Sequence, residues 1–181
     1  MNIYRKIRFP FILSLICVMS VLISLESCNS EKNIQYKVLN DFESYSDWGF
    51  NHEQIEKGQG YSGFYYCKTD IAKPYGIGMK LMKEDLDKFK TKHYRISGWI
   101  KCSVAGLAGA LVSTFEYDGN IINWNGIELE KQLKEANKWT FVSGEFPVPD
   151  KLPGRTEFKF FLWNKGSETL LIDDMEVVFM E

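Results

Sequence analysis

The residues best equipped for chemistry in this chain are aromatic rings set beside amides and charges. That is the equipment of sugar recognition without turnover. A pyranose offers flat C–H faces to an apolar ring and hydroxyls to a few polar groups. Trp124 lies in Ile121-Ile122-Asn123-Trp124-Asn125-Gly126, where Asn123 and Asn125 flank it with amides. Trp163 follows Phe161 and precedes Asn164, while Trp99 shares its strand parity with Arg95, and Tyr66 with Lys68. Trp124 and Trp163 are therefore the first platform residues expected, with Trp99 and Tyr66 behind them. Against each stands the plainer role of an aromatic packed in a core.

Catalytic chemistry finds little support. The two histidines, His52 and His93, sit in polar connecting segments, and neither has a partner at zinc-ligand spacing. No G-x-S-x-G elbow or phosphate loop occurs, and Gly76-Ile77-Gly78 is too short to cradle a phosphate. Carboxylate pairs arise by chance in any chain with 24 acidic residues, so they do not make a glycosidase. The expectation is a binding protein and not an enzyme.

Charge narrows the partners. The chain carries 22 basic and 24 acidic residues, a formal net charge of −2. Without residues 1–27, which hold Arg5, Lys6, Arg8 and Glu26, these counts become 19 and 23, a net of −4. A nucleic-acid binder needs a basic face to release counterions, so nucleic acid is not an expected partner. The hydrophobic fraction of 45% fits a chain that buries a core. Residues 28–181 suffice for one domain and are too few for two ordinary ones.

The N-terminus reads as an address. Met1 to Pro10 has three cations and no acid, and Phe11 to Leu25 is apolar except for Ser14, Ser20 and Ser24. Such a run is too short for a span and suits a signal peptide. It ends in Leu25-Glu26-Ser27-Cys28, which resembles the lipobox of bacterial lipoproteins, although Glu26 departs from the usual small or aliphatic residue. The resemblance implies cleavage after residue 27, lipidation of Cys28, and an exported domain anchored to the outer membrane or cell surface. Residues 28–35 are then a lipid-attached tether, and 36–181 the folded domain.

From Tyr36 onward, short β-rich runs alternate with Gly, Asn, Asp and Pro punctuation, without βαβ alternation. Strands are expected at 38–42, 63–69, 76–82, 94–102, 110–117, 139–146, 156–163 and 169–179. Asp118-Gly119-Asn120, Lys165-Gly166-Ser167 and Pro153-Gly154 supply turns. Period two divides 156–163 into Phe158, Phe160 and Leu162 against Lys159, Phe161 and Trp163. Both faces of that strand are apolar, which one core does not require. Segments 83–92 and 128–138 could form short connecting helices.

Four fragments together resemble the galactose-binding-like jelly rolls, in particular carbohydrate-binding modules of the family 4, 9 and 22 type. They are Asn40-Asp41-Phe42-Glu43 with Trp48, residues 60–66, residues 94–101, and 139–149 with the closing Leu171-Ile172-Asp173-Asp174-Met175-Glu176-Val177. The resemblance implies an all-β, two-sheet antiparallel jelly-roll sandwich and places Trp139 in its core, with Trp48 over one end. It also implies a structural calcium held by Glu43 and Asp174, with Asp41 and carbonyls near Gly60 and Ser62 as further ligands. Calcium takes six to eight hard oxygens and would clip terminal strands together.

The function implied is non-catalytic glycan binding by an envelope lipoprotein, with polysaccharide or oligosaccharide as partner and the membrane touched through the lipid alone. The alternative is a structural or protein-interaction lipoprotein that docks a neighbouring envelope protein through the same sandwich. Cys67 and Cys102 both fall on core parity, and an exported compartment permits either a disulfide or two buried thiols.

Overall fold

The computed structural model describes residues 33–44 and 52–181, so Cys28, Trp48 and the signal segment lie outside the described residues. Ten strands follow in order: β1 (Ile34–Asn40), β2 (Ile55–Lys57), β3 (Tyr65–Thr69), β4 (Tyr75–Met82), β5 (His93–Cys102), β6 (Gly109–Tyr117), β7 (Asn120–Glu128), β8 (Thr140–Pro147), β9 (Glu157–Asn164) and β10 (Leu170–Met180). One sheet has six strands in the order β2-β3-β10-β5-β8, with β1 also pairing β10. The other has four, β4-β9-β6-β7, and every pairing is antiparallel.

The strands form where the sequence offers an apolar face every second residue. In β9, Phe158, Phe160 and Leu162 are fully buried while Lys159, Phe161 and Trp163 point to the other side. Between the sheets, Tyr94, Phe115, Phe158 and Phe179 pack with ring centroids 5.2–5.9 Å apart. The Tyr94 hydroxyl is satisfied inside this core by Ser113 Oγ at 2.9 Å and by the Asn125 amide, which donates to it at 2.9 Å. Burial holds the Tyr94 phenol above its ordinary range.

Two strands were not expected. β2 is only three residues, and β7 consists of residues whose Asn and Gly content reads as a loop. β7 is nonetheless a full edge strand, because the Asp118-Gly119 turn, both residues at positive φ, folds it back on β6. Residues 83–92 yield one short helix, α1 (Lys83–Leu86), and residues 128–138 none. There Leu129 and Leu133 are buried at 0% as a loop folds down on the sandwich. The first strand begins at Ile34, two residues before the expected domain boundary.

Cys67 and Cys102 are both buried free thiols. Cys67 pairs with Ile172, and Cys102 with Leu170, so β10 runs between their strands. Two strand spacings are about 10 Å, beyond the roughly 7 Å that a disulfide can bridge. No helix among the described residues is long and apolar enough to cross a membrane.

Candidate functional site

The aromatics expected to bind divide between the outer faces of the two sheets. On the four-stranded sheet, register aligns Trp163 with Tyr75 on β4 and Ala110 on β6. One row along, Phe161 aligns with Gly78 and Val112, and Val112 with Gly126. Trp124 pairs with Thr114 but its ring folds along its own strand onto Gly126, where an added Cβ would meet it at 2.4 Å. Trp124 and Trp163, on strands separated only by β6, thus share one surface.

That surface has a floor and a rim. Ala110 and Val112 are fully buried although they point away from the inter-sheet core, so the neighbouring rings roof them. Rings lying flat on small residues keep one face outward; Trp124 is 43% exposed and Tyr75 48%. Tyr75 and Trp163 are near-parallel at 6.0 Å, and the Trp124 and Phe161 strands lie about 10 Å apart, two strand spacings.

Around the rings, charges are mutually paired: Lys80 with Glu157, Lys159 with Glu116 and Glu157, and Lys165 with Glu128 at 2.7 Å. Burial opposes the Lys159 charge, but the carboxylates of Glu116 and Glu157 outweigh it and hold the ammonium above its usual range. A cavity of about 640 Å³ continues the surface at the β6–β7 turn, lined by Glu116, Tyr117, Arg155, Glu157 and Lys159 among others. A larger recess of about 750 Å³ lies between α1 and residues 147–152. Its one aromatic, Phe89, is stacked by Tyr36 at 4.9 Å and so offers no open platform.

Three expected neighbours face elsewhere. Asn123 and Asn125 point inward, because period two puts them opposite Trp124; Asn125 Nδ2 donates to Asn123 Oδ1 at 2.7 Å and to Tyr94. Asn164 is buried and holds the turn after β9, donating to the Glu168 carbonyl and accepting from Gly166 N–H. Phe161 and Tyr75 complete the surface instead. Phe161 was legible from its parity, whereas Tyr75 becomes visible only through its register with Trp163.

Trp99 and Tyr66 lie on the outer face of the six-stranded sheet. Tyr61 stacks on Trp99 with centroids 3.7 Å apart, and Phe141 adjoins Trp99 at 5.3 Å. Trp139 belongs here too and not in the core: the inward residue of β8 is Val142, and Trp139 turns edge-on to Tyr61 and Tyr66.

The loop at residues 60–65 is held by carboxylates. Asp173, fully buried, accepts from Tyr61 N–H at 2.7 Å and Ser62 N–H at 3.1 Å through Oδ2, and from Asp174 N–H through Oδ1. Glu43 Oε1 accepts from Phe64 and Tyr65 N–H at 2.6 and 2.7 Å, and Ser62 Oγ donates to Asp174. Asp41 instead caps a local turn through Glu43 N–H. A bulge in β10, with Asp174 at φ 47°, separates the two aspartates and sends Asp173 under the loop. Burial pushes the Asp173 carboxyl up to about 6.

Around Gly60, oxygens converge: an added Cβ would lie 2.5 Å from the Ser62 carbonyl, 2.6 Å from Asp173 Oδ2 and 3.0 Å from the Tyr65 carbonyl. Hard oxygens of this kind suit calcium, with Glu43 Oε2 and one Asp174 oxygen not engaged by the bonds just described. Among the described residues, no three His, Cys, Asp or Glu side chains converge as a metal cluster by themselves. Carbonyl oxygens would have to complete the set.

No protein-family model and no curated protein matches the sequence. Solved structures do match in shape. The CBM22-2 xylan-binding domain of Paenibacillus barcinonensis Xyn10C aligns at TM-score 0.56 and 13% identity, covering 80% of this chain and 99% of that one. The CBM22-1 xylan-binding domain of the same enzyme aligns at 0.52 and 18%, covering 82% and 97%. A family 16 carbohydrate-binding module aligns at 0.45 and 19%, covering 74% and 89%. The two-sheet antiparallel sandwich of this chain accordingly has the jelly-roll fold of these two family 22 modules.

Proposed function

We propose that this chain binds glycan without turning it over, on the outer face of the four-stranded sheet. The observation that carries the reading is the shared surface of Trp124, Phe161, Trp163 and Tyr75, laid on a floor of Gly78, Ala110, Val112 and Gly126. Flat rings take the C–H faces of sugar rings, and the paired charges of the rim serve hydroxyls. Because Lys80, Lys159 and Lys165 each already face a carboxylate, the surface suits a neutral polysaccharide. The xylan-binding domains named above lend support at the level of fold.

Export and anchoring through Cys28 belong to the same reading, with the domain held at the cell envelope. An anchored module raises the local concentration of polysaccharide for neighbouring proteins, which requires no tight intrinsic affinity. A calcium bound by Glu43, Asp174 and the carbonyls of Ser62 and Tyr65 would tie the 60–65 loop to β10. When bound, it would supply charge that holds the carboxylates ionised.

Affinity electrophoresis of the full chain through gels of xylan, mixed-linkage β-glucan and galactomannan tests the proposal. Retardation by one polymer, abolished by Trp124→Ala or Trp163→Ala, is the expected result. Wild-type mobility unchanged in every neutral polymer would overturn it and favour docking of an envelope protein.

A further inference from the structure

The opposite face of the molecule has its own arrangement of rings and charge. Trp99 on β5 pairs with Phe141 on β8, and Tyr61 reaches over from the 60–65 loop to stack on Trp99 at 3.7 Å and 11°. Trp139 stands edge-on to Tyr61 and Tyr66, 6.5 Å from each. A surface that merely sealed the loop to the sheet would hide its rings. Here Phe141 is 53% exposed and Tyr61 44%, as open as the rings across the sandwich.

Lys101 sets this face apart chemically. Its ammonium sits 4.5 Å from the centre of the Trp139 ring. No carboxylate among the described residues pairs with it, whereas Lys80, Lys159 and Lys165 on the other sheet all have ion-pair partners. Lys68, the nearest other cation by register, is taken up by Glu56 at 3.0 Å. Contact with an aromatic ring attracts the charge but satisfies none of the three ammonium N–H donors. A ligand that presents an anion to Lys101 and an apolar ring face to Phe141 and Tyr61 would use both at once.

We propose that the outer face of the six-stranded sheet, built from Tyr61, Trp99, Trp139, Phe141 and Lys101, is a second glycan-binding surface, selective for acidic sugars. A uronate ring combines the required C–H face with a carboxylate. The surface is positioned by Asp173, which lies opposite Trp99 in the register and holds Tyr61 by its backbone N–H. The protein would then carry two chemically different sugar faces on opposite sides of one sandwich.

The test is affinity electrophoresis of the full chain in two sets of gels. The neutral set is xylan, β-glucan and galactomannan; the acidic set is polygalacturonate, alginate and glucuronoxylan. The Trp124→Ala/Trp163→Ala variant should keep its retardation in at least one acidic polymer, and raising the salt should weaken it. Lys101→Ala and Phe141→Ala should each lower that affinity about tenfold, with Lys101→Arg retaining it. Both positions are solvent-accessible, and an unchanged melting temperature would verify the fold of each variant.

Loss of all acidic retardation in the Trp124→Ala/Trp163→Ala variant would overturn the second surface, as would equal binding by Lys101→Ala and the wild type. Behaviour in the neutral gels decides the four-stranded face separately. A failure of one surface is therefore distinguishable from a failure of the other.

Discussion

The indole of Trp124 rests on Gly126, two residues further along the same edge strand, so closely that an added Cβ would come within 2.4 Å of the ring. The glycine is the seat that lets the ring lie flat. Gly126→Val should lift the indole from the floor and weaken glycan binding about tenfold, some 1.4 kcal/mol. The melting temperature should change little, since the site is on an edge. Isothermal titration beside a thermal melt separates the two effects. Equal loss of both would show that the glycine serves the fold.

Asn125→Ala should behave oppositely. Its amide serves the buried Tyr94 hydroxyl, so removal should cost about 1 kcal/mol of stability and leave polysaccharide retardation intact. A selective loss of binding would place the amide at the ligand after all.

Asp173→Asn leaves one accepting oxygen where two serve three backbone N–H donors, so its NH2 must face either Asp174 N–H or those of Tyr61 and Ser62. A cost of about 2–3 kcal/mol is expected, a fall of roughly 5–10 °C in melting temperature. Quenching of Trp99 by its stacked Tyr61 partner should relax in parallel, which tryptophan fluorescence would register.

Calcium at about 100 times its dissociation constant should stabilise the chain by about 2.7 kcal/mol, and a chelator should reverse the gain. Glu43→Gln should abolish most of this response. A melt indifferent to calcium and chelator would remove the ion from the account.

The thiols offer a pH-dependent reading. Burial pushes the Cys67 thiol up to about 12 from an ordinary value of 9.0. The folded state therefore keeps a proton that the unfolded state releases. That stabilisation is complete below about pH 9 and declines as pH rises toward 12, by about 2 kcal/mol at pH 10.5. Cys67→Ala should flatten this part of the curve. Alkylation of the native protein at pH 8 should leave Cys67 unmodified without any reductant, and unfolding should expose two free thiols among the described residues. A mass two units lower for a Cys67–Cys102 bridge would contradict the register.

Much of the sandwich was legible because its strands are amphipathic. Residues 94–102 and 156–163 bury mostly alternate side chains, residues 110–115 are buried on both faces as an apolar run, and the observed β5, β6 and β9 differ from expectation by one residue at their ends. Where burial is slight, the signal fades. β7 exposes Ile121, Ile122 and Trp124, so its composition resembles a loop, and only the tight turn before it betrays a hairpin. The inward direction of Asn123 and Asn125 likewise follows only once β7 is a strand. The family resemblance implies a core position for Trp139, whereas the alternation that puts Val142 inward turns Trp139 outward. The burial of Asp173 is not legible in the sequence, because the bulge beside it breaks the period. Trp124 and Trp163 meet only through β6, a relationship between strands that no local pattern contains.

The central place of β10 bears on the order in which the sandwich can assemble. Its first residues pair with β3, its last with β1, and its length with β5. Until residues 170–180 have left the ribosome, the larger sheet has only the short β2–β3 ribbon and the β5–β8 pair. Pairings this distant in sequence form late. The smaller sheet, by contrast, has all of its strands once Asn164 is made, so the two halves of the sandwich become available at different times.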